Sequence, residues 1–180
     1  MKKISSIILS ILIIFSSIIS FENSAYGLDE ETLRIAIIDT GISSVAISSE
    51  NLLQGKNYIL PNKSTEDELG HGTAVAGIIE GLCPTAKLVP LVYYSKATDD
   101  LAYKGDLPML AQIIRDAVDI YGCRIINISS GAKIDTPTLR DAVAYAEQKG
   151  VLIISSAGND GDNTVYYPAA YSSVLCVGTV

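Results

Sequence analysis

Cys123-Arg124-Ile125-Ile126-Asn127-Ile128-Ser129, a segment opened by Thr136-Pro137 and closed by Gly150, and Val151-Leu152-Ile153-Ile154-Ser155-Ser156-Ala157 follow one another within residues 123–157. The first and last are nearly continuous apolar runs, which suits strands buried on both faces, as in a parallel sheet. The segment between them begins with a capping threonine followed by proline at the first helical position, and it stops at a glycine, so a helix is expected over 137–149. Outward from this strand-helix-strand unit the same grammar repeats. Further apolar runs at 33–40, 87–94 and 174–180 read as strands. Residues 71–82 carry small and apolar side chains at turn spacing. Residues 108–121 place Leu110, Ile113, Ile114, Ala117, Val118 and Tyr121 on one stripe before Gly122. Strands alternating with helices imply an α/β fold of three layers, a mainly parallel sheet with helices on both faces. The run at 174–180 is a strand reaching the last residue, so the fold is expected to be incomplete at its C-terminus.

Composition narrows the partners. The 180 residues carry 13 Lys and Arg against 20 Asp and Glu, a net charge of −7. No basic patch is available to neutralise phosphates, which argues against nucleic acid as a partner. Glu66-Asp67-Glu68 is the one acidic run and reads as a solvated loop rather than a metal site. The three cysteines, Cys83, Cys123 and Cys176, each lie in an apolar context without metal-ligand spacing, and buried thiols are expected for all three. At the N-terminus, Lys2 and Lys3 precede an apolar run over residues 4–21, and Ala25-Tyr26-Gly27 supplies small residues for cleavage. That is the pattern of a secretory signal peptide spanning residues 1–27, and it implies a secreted, extracellular product of one domain, residues 28–180. The alternative is a membrane anchor left uncleaved.

In a parallel sheet the ligand crevice lies beyond the carboxyl ends of the strands. Asp39 ends the first strand, Ser129, Ser130 and Gly131 end the third, Ala157, Gly158 and Asn159 follow the fourth, and His71 opens a helix. Each has an ordinary reading: an aspartate in a turn, a satisfied structural imidazole, an Asn-Asp-Gly turn. Asp39-Thr40-Gly41 also matches the signature of aspartic proteases, but those folds are almost entirely β and need a second aspartate.

Taken together, Ile37-Ile38-Asp39-Thr40-Gly41, His71-Gly72-Thr73-Ala74-Val75-Ala76-Gly77, Ile126-Asn127-Ile128-Ser129-Ser130-Gly131 and Ser156-Ala157-Gly158-Asn159 resemble the subtilases, the subtilisin-like serine proteases. The order Asp, His, amide donor is the order of that family. The resemblance covers residues 33–180 and about the first two-thirds of the family's domain. It implies that Asp39 orients His71, that His71 takes the proton from a serine hydroxyl, and that Asn159 donates to the oxyanion. It implies as well that backbone at Ser129, Ser130, Gly131, Ala157 and Gly158 binds an extended polypeptide substrate by strand addition. Ser130 stands where the family usually has leucine. Pro168 resembles a family proline often preceded by a cis bond.

The family's Gly-Thr-Ser-x-Ala block, which carries the nucleophile, does not occur in residues 1–180. The expectation is therefore a secreted serine endopeptidase truncated before its nucleophile and inactive as this chain alone. The alternatives are a non-catalytic peptide-binding protein, or half of a split protease whose serine comes from a second chain. No cofactor is expected. Structural calcium is common in the family, but no ligand set for it is assignable here.

Overall fold

A computed structural model describes residues 32–98, 101–161, 163–164 and 166–178. The expected signal peptide lies outside the described residues. Six strands form one sheet: β1 (Arg34–Asp39), β2 (Lys56–Asn57), β3 (Lys87–Val92), β6 (Ile125–Ile128), β7 (Leu152–Ser156) and β8 (Val174–Val177), in the order β2-β3-β1-β6-β7-β8. Every neighbouring pair is parallel. Three helices connect them: α1 (His71–Leu82), α2 (Leu107–Asp119) and α3 (Pro137–Gln148). A two-stranded antiparallel ribbon, β4 (Tyr94–Thr98) and β5 (Leu101–Lys104), leaves the end of β3 as a separate sheet.

The pleat of β1 shows why its strand is apolar throughout. Ala36 and Ile38 belong to one buried cluster with Leu110, Ile113 and Ala117 of α2 and Leu139, Ala142 and Val143 of α3. Ile35 and Ile37 point the other way and pack with Ala76 of α1 and Leu88. Successive side chains of a strand face opposite sides, so the sheet is covered on both faces at β1 and the architecture has three layers, as the sequence implies. Asp106 caps α2 by accepting the Met109 N–H at 2.8 Å, and Thr136 caps α3 through Leu139 at 3.4 Å. Pro108 and Pro137 occupy the first turns of these two helices, where no hydrogen bond is lost.

From β1 the chain moves outward to β3 and later returns to the opposite side of β1 as β6. Such a reversal of strand order opens a crevice at the carboxyl ends of the two strands. Those ends carry Asp39 and, one residue beyond β6, Ser129. At the far edge, β8 presents Leu175 and Val177 half exposed.

Candidate active site

Asp39 is the last residue of β1 and is 3% exposed. A buried carboxylate needs hydrogen bonds, and Asp39 finds two on Oδ1: the N–H of Thr40 at 2.8 Å and Nδ1 of His71 at 2.7 Å. A carboxylate only accepts, so the His71 ring carries its proton on Nδ1, and in the neutral ring Nε2 presents a lone pair. The His71 side chain is 59% exposed against 4% for that of Asp39. One nitrogen is thus held from below while the other faces outward. Asp39, Thr40, His71, Tyr94 and Ser129 line a cleft of about 190 Å³ at the crevice between β1 and β6.

Close backbone approach makes this contact. A Cβ on Gly72 would lie 2.2 Å from the carbonyl oxygen of Gly41, and one on Gly41 would lie 2.5 Å from that of Thr65. The glycine after His71 therefore lets α1 touch the turn after β1, where Gly72 N–H donates to the Thr40 hydroxyl at 2.8 Å. Gly41 also adopts φ +117°, a conformation glycine takes without strain.

Asp67 secures the same junction, and its role corrects the reading of Glu66-Asp67-Glu68 as simply solvated. The N-cap of α1 is Gly70, which has no side chain to offer. Asp67 Oδ1 instead accepts the N–H groups of Leu69 (2.9 Å) and Gly70 (2.8 Å), while Oδ2 accepts the N–H (2.9 Å) and hydroxyl (2.7 Å) of Thr73. Thr73 Oγ1 in turn accepts the N–H of Ser43 from the β1 turn at 2.9 Å. Partial burial would raise the Asp67 pKa, but the hydrogen bonds from Thr73, Gly70 and Leu69 outweigh it and hold the carboxyl below its ordinary value. Glu68 fits the expectation better: it is exposed and pairs loosely with Lys63 at 3.6 Å.

The segment of Ser129, Ser130 and Gly131 extends β6 beyond the sheet. Asn127 Nδ2 donates to Ser129 Oγ at 3.0 Å. The Ser130 hydroxyl is buried with no hydrogen-bond partner among the described residues. The Gly131 carbonyl accepts Lys104 Nζ at 2.8 Å, and Ala132 exchanges two backbone hydrogen bonds with Tyr167, of 2.9 and 2.8 Å. The Tyr167–Pro168 peptide bond is cis.

Asn159 does not line the cleft that holds Asp39 and His71. With Ala157 and Gly158 it lines a broader depression of about 650 Å³ at the carboxyl end of β7, together with Gly161, Asn163, Thr164 and Gly178. It is exposed. Gly158 takes φ +96°, turning the chain sharply after the strand. The structure thus gathers Asp39, His71 and Ser129 into one cleft and sets Asn159 at the end of the adjoining strand. Tyr94, also in the cleft, is a residue the sequence reading missed. No signal in the sequence separates it from Tyr93, which is fully buried; Tyr94 itself packs partly against the same core.

Cys123 is buried, but Cys83 is only half-buried and Cys176 is exposed on β8, so the expectation of three buried thiols holds for Cys123 alone. Cys176 shares a face of β8 with buried Val174 but lies further along this edge strand, where the covering of the sheet runs out. Among the described residues, no three His, Cys, Asp or Glu side chains gather in a metal-binding group.

Comparison with known proteins agrees with this geometry. The model of the subtilase family matches residues 30–180. The chain is 38% identical over 161 residues to the minor extracellular protease Epr of Bacillus subtilis, covering 84% of this chain and 24% of that protein. It is 32% identical over 161 residues to Subtilisin Savinase of Lederbergia lenta, covering 84% and 57%. Among solved structures, a lanthipeptide protease superposes with a TM-score of 0.69 at 29% identity, over 82% of this chain and 48% of that one. The chain therefore spans between about a quarter and somewhat over half of the length of these relatives.

Proposed function

This chain belongs to the subtilase family, and from that membership we propose that residues 28–180 are the N-terminal portion of a secreted subtilisin-like serine endopeptidase, with residues 1–27 as its signal peptide. The observation that carries the proposal is the 2.7 Å contact between Asp39 Oδ1 and His71 Nδ1, with the rest of the imidazole open to an outer cleft. In the proposed reaction His71 Nε2 takes the proton of a serine hydroxyl as its oxygen attacks the peptide carbonyl. Asp39 holds the ring in position and stabilises the imidazolium that results. Asn159 donates its amide to the oxygen that becomes negative. Ser129, Ser130 and Gly131 pair with the substrate main chain, and Ala157 and Gly158 flank it. A peptide N–H that pairs at Gly131 takes the second lone pair of the carbonyl that already accepts Lys104 Nζ.

Residues 1–180 contain no Gly-Thr-Ser-x-Ala segment. The nucleophile in this reading comes from sequence following residue 180 or from a second polypeptide, and residues 1–180 supply the base and the peptide groove. A non-catalytic peptide-binding role is the second reading, and the strand extension of Ser129, Ser130 and Gly131 beyond β6 would serve it equally. The test combines a fluorogenic casein assay with anisotropy of labelled peptides on the purified chain. Peptide binding without hydrolysis is expected. Hydrolysis that His71→Ala abolishes would show that the nucleophile lies within residues 1–180. Failure to bind any peptide would remove both readings.

A further inference from the structure

Tyr166 occupies the gap between the two loops that the proposed function assigns to the substrate. A Cβ on Gly131, beyond β6, would lie 2.9 Å from Tyr166 Cβ. A Cβ on Gly158, beyond β7, would lie 2.7 Å from Cδ2 and Cε2 of the same ring. Both glycines therefore face one tyrosine, which neither loop would accommodate with a larger residue.

The ring is also held at its rim. Its hydroxyl donates to the carboxylate of Asp160, and Asp160 pairs with Lys133 Nζ at 2.9 Å. The Lys133 ammonium lies 5.4 Å from the ring centroid, within reach of a cation–π attraction. The backbone bridge between Ala132 and Tyr167 fixes the chain on either side. Tyr166 further forms one wall of a cavity of about 200 Å³ whose other walls are Ala157, Thr164, Ala169, Ala170 and Cys176. Without the ring, this space between small side chains would join the gap and make one deep apolar pocket.

An extended peptide alternates its side chains. If its main chain runs along Ser129, Ser130 and Gly131 and one carbonyl faces Asn159, the side chain of that residue enters the space between the β6 and β7 loops. We propose that Tyr166 fills this space, so that the peptide residue whose carbonyl faces Asn159 must be small: glycine, alanine or serine. The inference rests on the peptide-binding reading above and adds the substrate class to it.

Tetrapeptides of the form fluorescein-Ala-Ala-Ala-X with a free carboxylate test it, because the carboxylate fixes the register opposite Asn159. Anisotropy titration of the purified chain is expected to rank X = Gly and Ala above Leu and Phe by about ten-fold or more, the scale of steric discrimination in an apolar site. Tyr166→Gly is expected to reverse the order in favour of Phe. Tyr166→Phe, which keeps the ring and loses only the hydroxyl, is expected to keep the wild-type order. Phe binding to wild type as tightly as Ala, or an order unchanged in a folded Tyr166→Gly, would overturn the role of Tyr166 and leave the groove intact. Should Tyr166→Gly not fold, the wild-type ranking decides alone. Absence of binding for every X in wild type would remove the groove itself, and the role of Tyr166 with it.

Discussion

Gly72 shows how much of the site depends on a missing side chain. Its Cβ position is 2.2 Å from the Gly41 carbonyl oxygen and 3.1 Å from Asp39 Cβ, both on the β1 turn. Gly72→Ala must push α1 away from β1, and a loss of about 1–3 kcal/mol is expected, as for overpacking elsewhere. Five residues on in the same helix, Gly77 is exposed and has nothing within 4 Å of its Cβ position. Gly77→Ala should instead stabilise the chain by about 0.4–1 kcal/mol, chiefly by restricting the unfolded state. Urea denaturation of the two variants checks the opposite signs. Alone, Asp39 reads as an ordinary turn aspartate and His71 as a structural imidazole; they were legible as a pair only through the resemblance of Ile37–Gly41 and His71–Gly77 to the subtilase motifs. Tyr94 and Tyr166 were not, since a tyrosine next to apolar residues reads as core until its neighbours in space are known.

At the level of elements, the start of α1 depends on a carboxylate outside the helix. Asp67 is half-buried and accepts four hydrogen bonds around the first turn. Its folded pKa lies below the ordinary value of 3.8. The stabilisation it gives is therefore complete above that value and is lost as pH falls through the lower, folded one. Asp67→Asn is expected to cost about 1 kcal/mol at neutral pH, as for loss of a helix cap. The difference from wild type should shrink in acid, which denaturant titrations at several pH values measure. A constant difference across pH would assign the loss to packing instead. The long elements were readable in advance: continuous Ile and Val runs marked β1, β6 and β7, and Thr136-Pro137 marked the start of α3. The two-residue β2 and the β4–β5 ribbon were not, because β2 is too short to show a period and neither Tyr94–Thr98 nor Leu101–Lys104 alternates cleanly between apolar and polar side chains. Asp67 was hidden by its acidic neighbours, although an aspartate three residues before Gly70 is itself a turn signal.

For the molecule as a whole, the alternation of strands and helices implied parallel pairing and covered faces. The order β2-β3-β1-β6-β7-β8 came only from the structure, because equivalent apolar strands do not specify which of them are neighbours. That order puts the ends of β1 and β6 side by side and so brings Ser129 to the cleft of Asp39 and His71. The layering is open to a chemical test. Cys123 is buried among α2, α3 and the sheet, and burial pushes its thiol up to about 12 against the milder opposing effect of Arg34. Ellman's reagent is expected to label exposed Cys176 first, half-buried Cys83 more slowly and Cys123 only in denaturant. Rapid labelling of Cys123 in the native chain would contradict the packing of the helices on the sheet. The central claim is that Asp39 fixes His71 as a base, and His71 is the only histidine in the chain, so its ring can be observed without assignment. Long-range ¹H–¹⁵N NMR of the purified chain is the most direct measurement. It should show the neutral ring protonated on Nδ1, with a downfield proton resonance that Asp39→Ala abolishes. A ring protonated on Nε2, or a spectrum that Asp39→Ala leaves unchanged, would contradict the claim.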